Sequence, residues 1–233
     1  MELEQYILSH IDDEPDYLHD IWRESNVMLL NGRMVSGHVQ GRVLSLLSNL
    51  VRPKIAVEIG TFTGYSALCI AEGLACDGIL HTFEIDDELE EIITNNFKKS
   101  DLRSKIQLHI ADALAGIPEL VLSPHSVDFA FIDGDKRDYQ RYYELLMPLM
   151  RIGGIIIADN TLWSGKIAEE QCRDRQTEGL RLFNDYVVSD ERVSVTILPI
   201  RDGMTVLRVI SKEERTKNKE QRTKNQEQRA KII

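Results

Sequence analysis

The sequence predicts one α/β domain built on a largely parallel sheet covered on both faces by helices. Three observations carry this. Short apolar runs starting near Ile55, Ile79, Ile106, Val127 and Ile155 are separated by stretches of helical character, a β-α alternation. Two final apolar runs are joined by Arg201-Asp202-Gly203, a connection tight enough to make them an antiparallel hairpin. At 233 residues the chain is long enough for a substantial core in a single domain.

Taken in order, residues 1–30 read as two short helices broken by Pro15, the second running from Asp16 to Leu30 and stopped by Asn31-Gly32. A loop over 33–41 leads into a helix in which Val39, Val43, Leu46, Leu47 and Leu50 recur at helical spacing; this predicts an apolar face docked on the sheet. Pro53 ends that helix and the first strand, 55–59, follows. It stops at Gly60, and Gly64 opens the next helix. Cys69 and Cys76, a heptad apart on this helix, read as core residues. Next come a strand over 79–85, a helix over 86–100 with acid in its first turn and lysines near its last, and a third strand over 106–111. A short helix over 114–121, a strand over 127–133 and a helix over 139–150 follow. Gly153-Gly154 is expected to turn the chain into a fifth strand, 155–159. A loop over 160–174, a helix over 177–188 and the hairpin strands 194–200 and 204–210 complete the domain.

This divides the chain into N-terminal helices over 1–52 that pack on the core and shape the acceptor site, the α/β domain over 53–211, and a charged tail over 212–233. In the tail, residues 215–221 and 222–228 form a near-perfect seven-residue repeat with no apolar position. It reads as a solvated helix or a disordered segment. A net charge of −10 leaves no global footprint for nucleic acid or an anionic membrane. No apolar run approaches the roughly 20 residues of a membrane span, and the acidic first residues lack a signal-peptide pattern. The expectation is a cytoplasmic protein whose 3 cysteines, odd in number and without metal-type spacing, are reduced.

The chemistry begins in Val57-Glu-Ile-Gly-Thr-Phe-Thr-Gly-Tyr-Ser-Ala67. A strand, a glycine turn and a helix start form a nucleotide cradle. The spacing, however, is Glu-x-Gly-x-x-x-Gly rather than G-x-G-x-x-G. Glu58 would repel a pyrophosphate and attract a cation, which points to a sulfonium cofactor. Acid also closes the later strands: Glu84, placed to accept from both ribose hydroxyls; Asp112, able to bond an adenine amino group; Asp133-Gly-Asp-Lys136; and Asp159-Asn160. Any one of these could be a helix cap or a solvated turn residue. Five converging on one rim need cations to offset their repulsion. A cationic cofactor over the first three strands and a metal over the fourth and fifth would supply them. Asp133, Asp159 and Asn160 offer oxygen alone, a set suited to Mg²⁺, with Ca²⁺ or Mn²⁺ open and Zn²⁺ disfavoured. Of the 6 histidines only His38 lies in a loop able to reach the site, where a plain surface role competes with a functional one.

These blocks resemble the metal-dependent class I O-methyltransferases, the caffeoyl-CoA and catechol O-methyltransferase group. The matching stretches are Val57 to Ser66, Phe131-Ile-Asp-Gly-Asp-Lys136 with Tyr139, Asp159-Asn-Thr-Leu-Trp163 and Leu198-Pro-Ile-Arg-Asp-Gly203; the resemblance covers about residues 30–210. It implies a Rossmann-like seven-stranded sheet of order 3-2-1-4-5-7-6 with strand 7 antiparallel, and S-adenosylmethionine as cofactor. It further implies that Glu58, Gly60, Thr61 and Ser66 hold the methionine end through carboxylate, backbone amides and hydroxyl. Glu84 would take the ribose, Asp112 and Ala113 would border the adenine, and Asp135 would lie against the amino-acid end. Asp133, Asp159 and Asn160 become metal ligands and Lys136 the residue for proton transfer. Met34 and Val35 fall in a loop that family members bring over cofactor and substrate, although Met34-Val-Ser-Gly-His-Val-Gln40 keeps only part of the family pattern. Trp163 and Tyr139 could wall an aromatic acceptor, with core packing an equal reading for Tyr139. Asp202 matches a position near the substrate but also suits a plain turn. The resemblance implies a small catechol-like acceptor and a homodimer joined through the N-terminal helices. A related reading is methylation of a hydroxylated uridine in transfer RNA. A nicotinamide-dependent oxidoreductase lacks its glycine pattern here, and a binding-only module has no need of Asp133, Lys136, Asp159 and Asn160 together.

Overall fold

The computed structural model describes residues 3–217. Its helices are α1 (Leu3–Leu8), α2 (Asp16–Met28), α3 (His38–Val51), α4 (Tyr65–Ala71), α5 (Glu90–Phe97), α6 (Ala113–Glu119), α7 (Tyr139–Leu146) and α8 (Arg175–Ser189). The strands are β1 (Ile55–Ile59), β2 (Ile79–Glu84), β3 (Ile106–Ile110), β4 (Val127–Ile132), β5 (Met150–Ala158), β6 (Val193–Leu198) and β7 (Met204–Val209). They form a seven-stranded sheet of order β3-β2-β1-β4-β5-β7-β6 in which β7 runs antiparallel to both neighbours. This is the order the resemblance implies. β1 pairs with β2 on one side and β4 on the other, so the chain reverses its direction of travel across the sheet between them. The carboxyl ends of β1 and β4 therefore flank the crevice in which open α/β sheets bind ligands.

The two faces of the sheet are read off alternate residues of each strand. Val57, Ile59, Ala130 and Ile132 pack with Tyr139, Tyr143, Leu146 and Phe183 from α7 and α8. Ala56, Phe129 and Phe131 pack on the other face with Leu18, Leu44, Leu68 and Ile93 from the N-terminal helices, α4 and α5. Among the described residues no helix is long and apolar enough to cross a membrane. The chain is helical over 212–217; the rest of the 215–228 repeat lies outside the described residues.

Several local expectations are corrected. On α3 the buried residues are Gln40, Gly41, Leu44, Ser45 and Ser48, while Leu46 and Leu50 of the predicted apolar face are exposed. Close approach to α4 selects small residues here. A Cβ on Gly41 would sit 2.8 Å from the Tyr65 ring, and Ser48 Oγ donates to the Ile70 carbonyl at 2.6 Å. Periodicity located the helix and set Val43 and Leu47 against the core, but the buried face is rotated away from Leu46 and Leu50. β5 begins at Met150, before Gly153-Gly154, which form an irregularity within the strand where the pairing with β4 shifts register; this also ends α7 at Leu146. The helix expected over 86–100 is a 3-10 turn, Asp87–Leu89, followed by α5, which has no basic residue in its last turn. Cys69 is buried as expected, but Cys76 lies beyond α4 and is exposed.

Candidate active site

The first centre lies beneath the β1–α4 turn. Glu58 is fully buried. Thr82, its register partner on β2, donates to Glu58 Oε2 at 2.5 Å, and the Ser66 hydroxyl also bonds the carboxylate. The Thr82 hydroxyl also shares a 2.6 Å hydrogen bond with the Thr61 hydroxyl. Glu58 Oε1 has no partner among the described residues. Burial pushes the Glu58 carboxyl up to about 8; the bonds from Ser66 and Thr82 oppose the rise, and the charges of Asp133 and Glu84 add to it. A buried carboxyl with an unused oxygen is a receptor for a cation, because ionising it unaccompanied is costly.

Gly60 makes the turn possible. Its φ is +95°, and a Cβ there would lie 2.3 Å from the Asp133 carbonyl oxygen, so only glycine lets β1 pass this close to β4. The Gly60 and Thr61 amides both donate to the Phe83 carbonyl, at 3.0 and 3.1 Å, so they are already satisfied within the fold. Next along the rim, Glu84 accepts from the Phe62 amide through Oε2 (2.7 Å) and from the Ile85 and Asp86 amides through Oε1 (2.9 and 3.0 Å). These bonds fix its carboxylate at the end of β2. Asp112 caps α6 by accepting from the Leu114 amide, and Ala113 beside it is buried.

The second centre joins the ends of β4 and β5. Lys136 is buried. Its Nζ donates to Asp133 Oδ1 at 2.6 Å and to the Tyr139 hydroxyl at 2.7 Å. The Tyr139 hydroxyl donates in turn to the Asp159 carbonyl at 3.0 Å. Burial, then the charges of Asp133 and Asp159, hold that phenol well above its ordinary pKa, so it stays protonated. Asp159 Oδ2 accepts from Gln40 Nε2 at 2.7 Å, whereas Oδ1 is buried without a partner among the described residues. Burial raises the Asp159 carboxyl, and the neighbouring Asp133 charge raises it further. Asn160 follows at a left-handed φ of +55°. Gly179 on α8 lets that helix lie against this centre, since a Cβ would meet the Lys136 carbonyl at 2.6 Å.

The remaining predicted residues occupy varied positions. Val35 is buried and Met34 exposed. His38 places Nε2 on the Asp12 carbonyl at 2.8 Å. Asp135 is held by the Arg137 guanidinium, which keeps its pKa low. Asp202 Oδ1 accepts from Ser164 at 3.0 Å, and its carbonyl receives the Leu162 and Trp163 amides, so it clasps the loop after β5. Trp163 has a buried Nε1 with no partner among the described residues and lies beneath Lys166 Nζ, 5.8 Å from a ring centroid. Tyr139 is wholly buried and meets Phe183 edge-on, so it is a core residue that presents its hydroxyl to the site. Thr82, Gln40 and Arg201 were not legible as site residues. Thr82 could have been found as the register partner of Glu58; Gln40 and Arg201 lie in stretches that match the family, but nothing local gave them a role.

A β3-β2-β1-β4-β5-β7-β6 sheet whose first loop rests on a buried carboxylate defines the S-adenosylmethionine-dependent methyltransferase fold. A family model described as O-methyltransferase matches residues 8–210, and the chain belongs to that family. It is 35% identical over 219 residues to a caffeoyl-CoA O-methyltransferase of Stellaria longipes, covering 89% of this chain and 90% of the relative. To a flavonoid 3',5'-methyltransferase of Vitis vinifera it is 36% identical over 178 residues, 72% of this chain and 76% of the relative. Among solved structures, an O-methyltransferase from Bacillus cereus in complex with SAH superposes with a TM-score of 0.82 at 27% identity, covering 89% of this chain and 96% of that one. TomG from Streptomyces achromogenes, in complex with SAM, gives 0.82 at 26% identity, over 91% and 100%.

Proposed function

We propose that this O-methyltransferase moves the methyl group of S-adenosylmethionine to one hydroxyl of a catechol-like acceptor chelated by Mg²⁺. The observation that carries the reading is the buried second centre, where Lys136 lies 2.6 Å from Asp133 and Asp159 Oδ1 has no partner among the described residues. The donor set fits a hard divalent cation: Asp133, Asp159 and Asn160 would hold it, all through oxygen. Such an ion supplies Lewis acidity that fixes vicinal hydroxyls and makes them easier to deprotonate. The cofactor side fits as well, with Glu58 Oε1 free for a cationic ligand. Neighbours solved with SAM and with SAH support that cofactor, and relatives named for caffeoyl-CoA and flavonoid acceptors support an aromatic hydroxyl.

In this scheme Lys136 Nζ receives the proton of the attacking hydroxyl. Tyr139 and Asp133 fix that nitrogen from two sides, and Tyr139 is itself tied to the β5 backbone at Asp159. Glu58, Ser66 and Glu84 position the donor. Holding two reactants in line can supply on the order of 7–11 kcal/mol, so little further chemistry is required of the protein. The exposed apolar residues Leu3, Tyr6, Leu46 and Leu50 on α1 and α3 support a homodimer through the N-terminal helices.

The test is methyl transfer from labelled S-adenosylmethionine to caffeate, caffeoyl-CoA, a dihydroxybenzoate and bulk transfer RNA, each with and without EDTA. The expected outcome is labelling of the catechols, lost in EDTA and restored by Mg²⁺. Label confined to transfer RNA would establish the other acceptor, against which the net charge of −10 weighs. Full turnover in EDTA would refute the metal.

A further inference from the structure

We infer that Gln40 and Arg201 form a positioning pair that holds Asp159 with one carboxylate oxygen, Oδ1, reserved for a divalent cation. The inference rests on the metal reading above and assigns a role to two residues that the matched stretches contain without giving them one. Gln40, on the first turns of α3, is 1% exposed. Its Nε2 donates to Asp159 Oδ2 at 2.7 Å. Its Oε1 accepts from Arg201 Nη1 at 3.2 Å, and the same nitrogen donates to the Val35 carbonyl at 3.0 Å; Nη2 reaches the Arg33 carbonyl at 3.4 Å.

The chemistry of the three groups permits one arrangement. A guanidinium only donates and an ionised carboxylate only accepts, so an amide between them must turn its oxygen to Arg201 and its nitrogen to Asp159. Reversing the amide would break both bonds in a buried space. Asp159 Oδ2 thereby accepts the Gln40 bond, which resists rotation of the carboxylate. Oδ1, buried and without a partner among the described residues, remains for an ion, in keeping with a cation that takes few, well-placed protein oxygens. The neutral amide between the two charges matters. Arg201 in direct contact with Asp159 would itself neutralise the carboxylate and compete with a metal, whereas through Gln40 it sets the orientation without delivering its charge.

Arg201 carries a second connection. It sits in the β6–β7 turn at φ +48°, a conformation that a non-glycine residue holds only where its surroundings require it. Its fork ties that turn to the 33–35 loop, so the orientation of Asp159 and the placement of the loop depend on one side chain. The same turn clasps the loop after β5 through Asp202. Three segments far apart in sequence thus converge on Asp159.

Mn²⁺ serves as the probe, its free concentration followed by electron paramagnetic resonance during titration of the full chain with S-adenosylhomocysteine present. Gln40→Leu, Arg201→Met and the double variant are compared with wild type, and S-adenosylmethionine affinity is measured in parallel. Loss of an outer contact of this kind typically weakens metal binding about 10–100-fold, which is the effect expected for Gln40→Leu, with cofactor affinity within about twofold of wild type. Arg201→Met should lose Mn²⁺ affinity in the same direction. The double variant should bind Mn²⁺ no more weakly than Gln40→Leu alone, because Arg201 acts on the ion through Gln40; additive losses would mean two unrelated structural defects and would overturn the inference. Mn²⁺ affinity within twofold of wild type in Gln40→Leu also overturns it. Should that variant not fold, Arg201→Met decides, since it leaves Gln40 in place but frees the amide to turn. A wild-type chain that binds no Mn²⁺ removes the metal reading and this inference together; wild-type binding left unaltered in the variants removes the inference alone.

Discussion

A cationic cofactor held by Glu58 should bind in a proton-coupled event. The Glu58 carboxyl is pushed up to about 8 by burial, and Oε1 lacks a partner. At pH 7 about ten of every eleven cofactor-free molecules therefore carry Glu58 protonated, and ionising it costs about 1.4 kcal/mol, one pKa unit's worth. A sulfonium ligand is held best by the anion, so its apparent Kd should tighten about tenfold from pH 6 to pH 7, and the gain should taper as pH 8 is approached. Binding at pH 7 should release about 0.9 proton to the solvent by the same ratio. The stability sign agrees. A carboxyl whose folded pKa lies above its unfolded value stabilises the fold at low pH and loses that contribution as pH rises through about 8. Bound cofactor should remove that loss. The assay is calorimetric titration of S-adenosylmethionine at pH 6, 7 and 8 in two buffers of different ionisation enthalpy. Glu58→Gln serves as the control for titration of the cofactor's own amino group. The variant should bind weakly and lose the wild-type slope below pH 8. A wild-type Kd flat between pH 6 and 8, or net proton uptake, would refute the reasoning.

Two further outcomes are expected. Gly60→Ala places a Cβ 2.3 Å from the Asp133 carbonyl at a left-handed φ. A cost of at least about 2 kcal/mol should lower Tm by about 4 °C or more, and a melt unchanged from wild type would contradict the close approach of β1 and β4. Lys136→Met should lower kcat about 10²–10⁴-fold while S-adenosylmethionine affinity stays within about twofold; a loss of less than tenfold would remove Lys136 from proton transfer.

Which parts of this molecule were legible in one dimension follows from how far each cause reaches. β1 and β4, and the first-loop geometry, are written in contiguous residues: an apolar run, a glycine that alone tolerates the turn, an acid whose sign selects a cation. The acidic strand ends were legible for the same reason, since in a parallel sheet they must share one rim. Errors arose where a neighbour in space decides. The apolar stripe of α3 was only partly right, Val43 and Leu47 packing on the core while Leu46 and Leu50 are exposed, because α4 approaches so closely that Gly41, Ser45 and Ser48 are the residues that fit. The start of β5 was placed late because Gly153-Gly154 resembles a turn until β4 is seen to absorb the irregularity.

The sequence by itself determined the charges and donor types at each end of the site, because these travel with the residue wherever it is placed. Only the tertiary structure decided how those charges are used. Packing buries Glu58 and leaves one of its oxygens free, lodges Lys136 between Asp133 and Tyr139, sets Gln40 on the carboxylate of Asp159, and brings Arg201, 161 residues further along, onto the Gln40 amide. No local pattern announces such a contact. Its cause is the meeting of α3, β5 and the β6–β7 turn, and the energy of a buried polar group depends on which partner that meeting supplies.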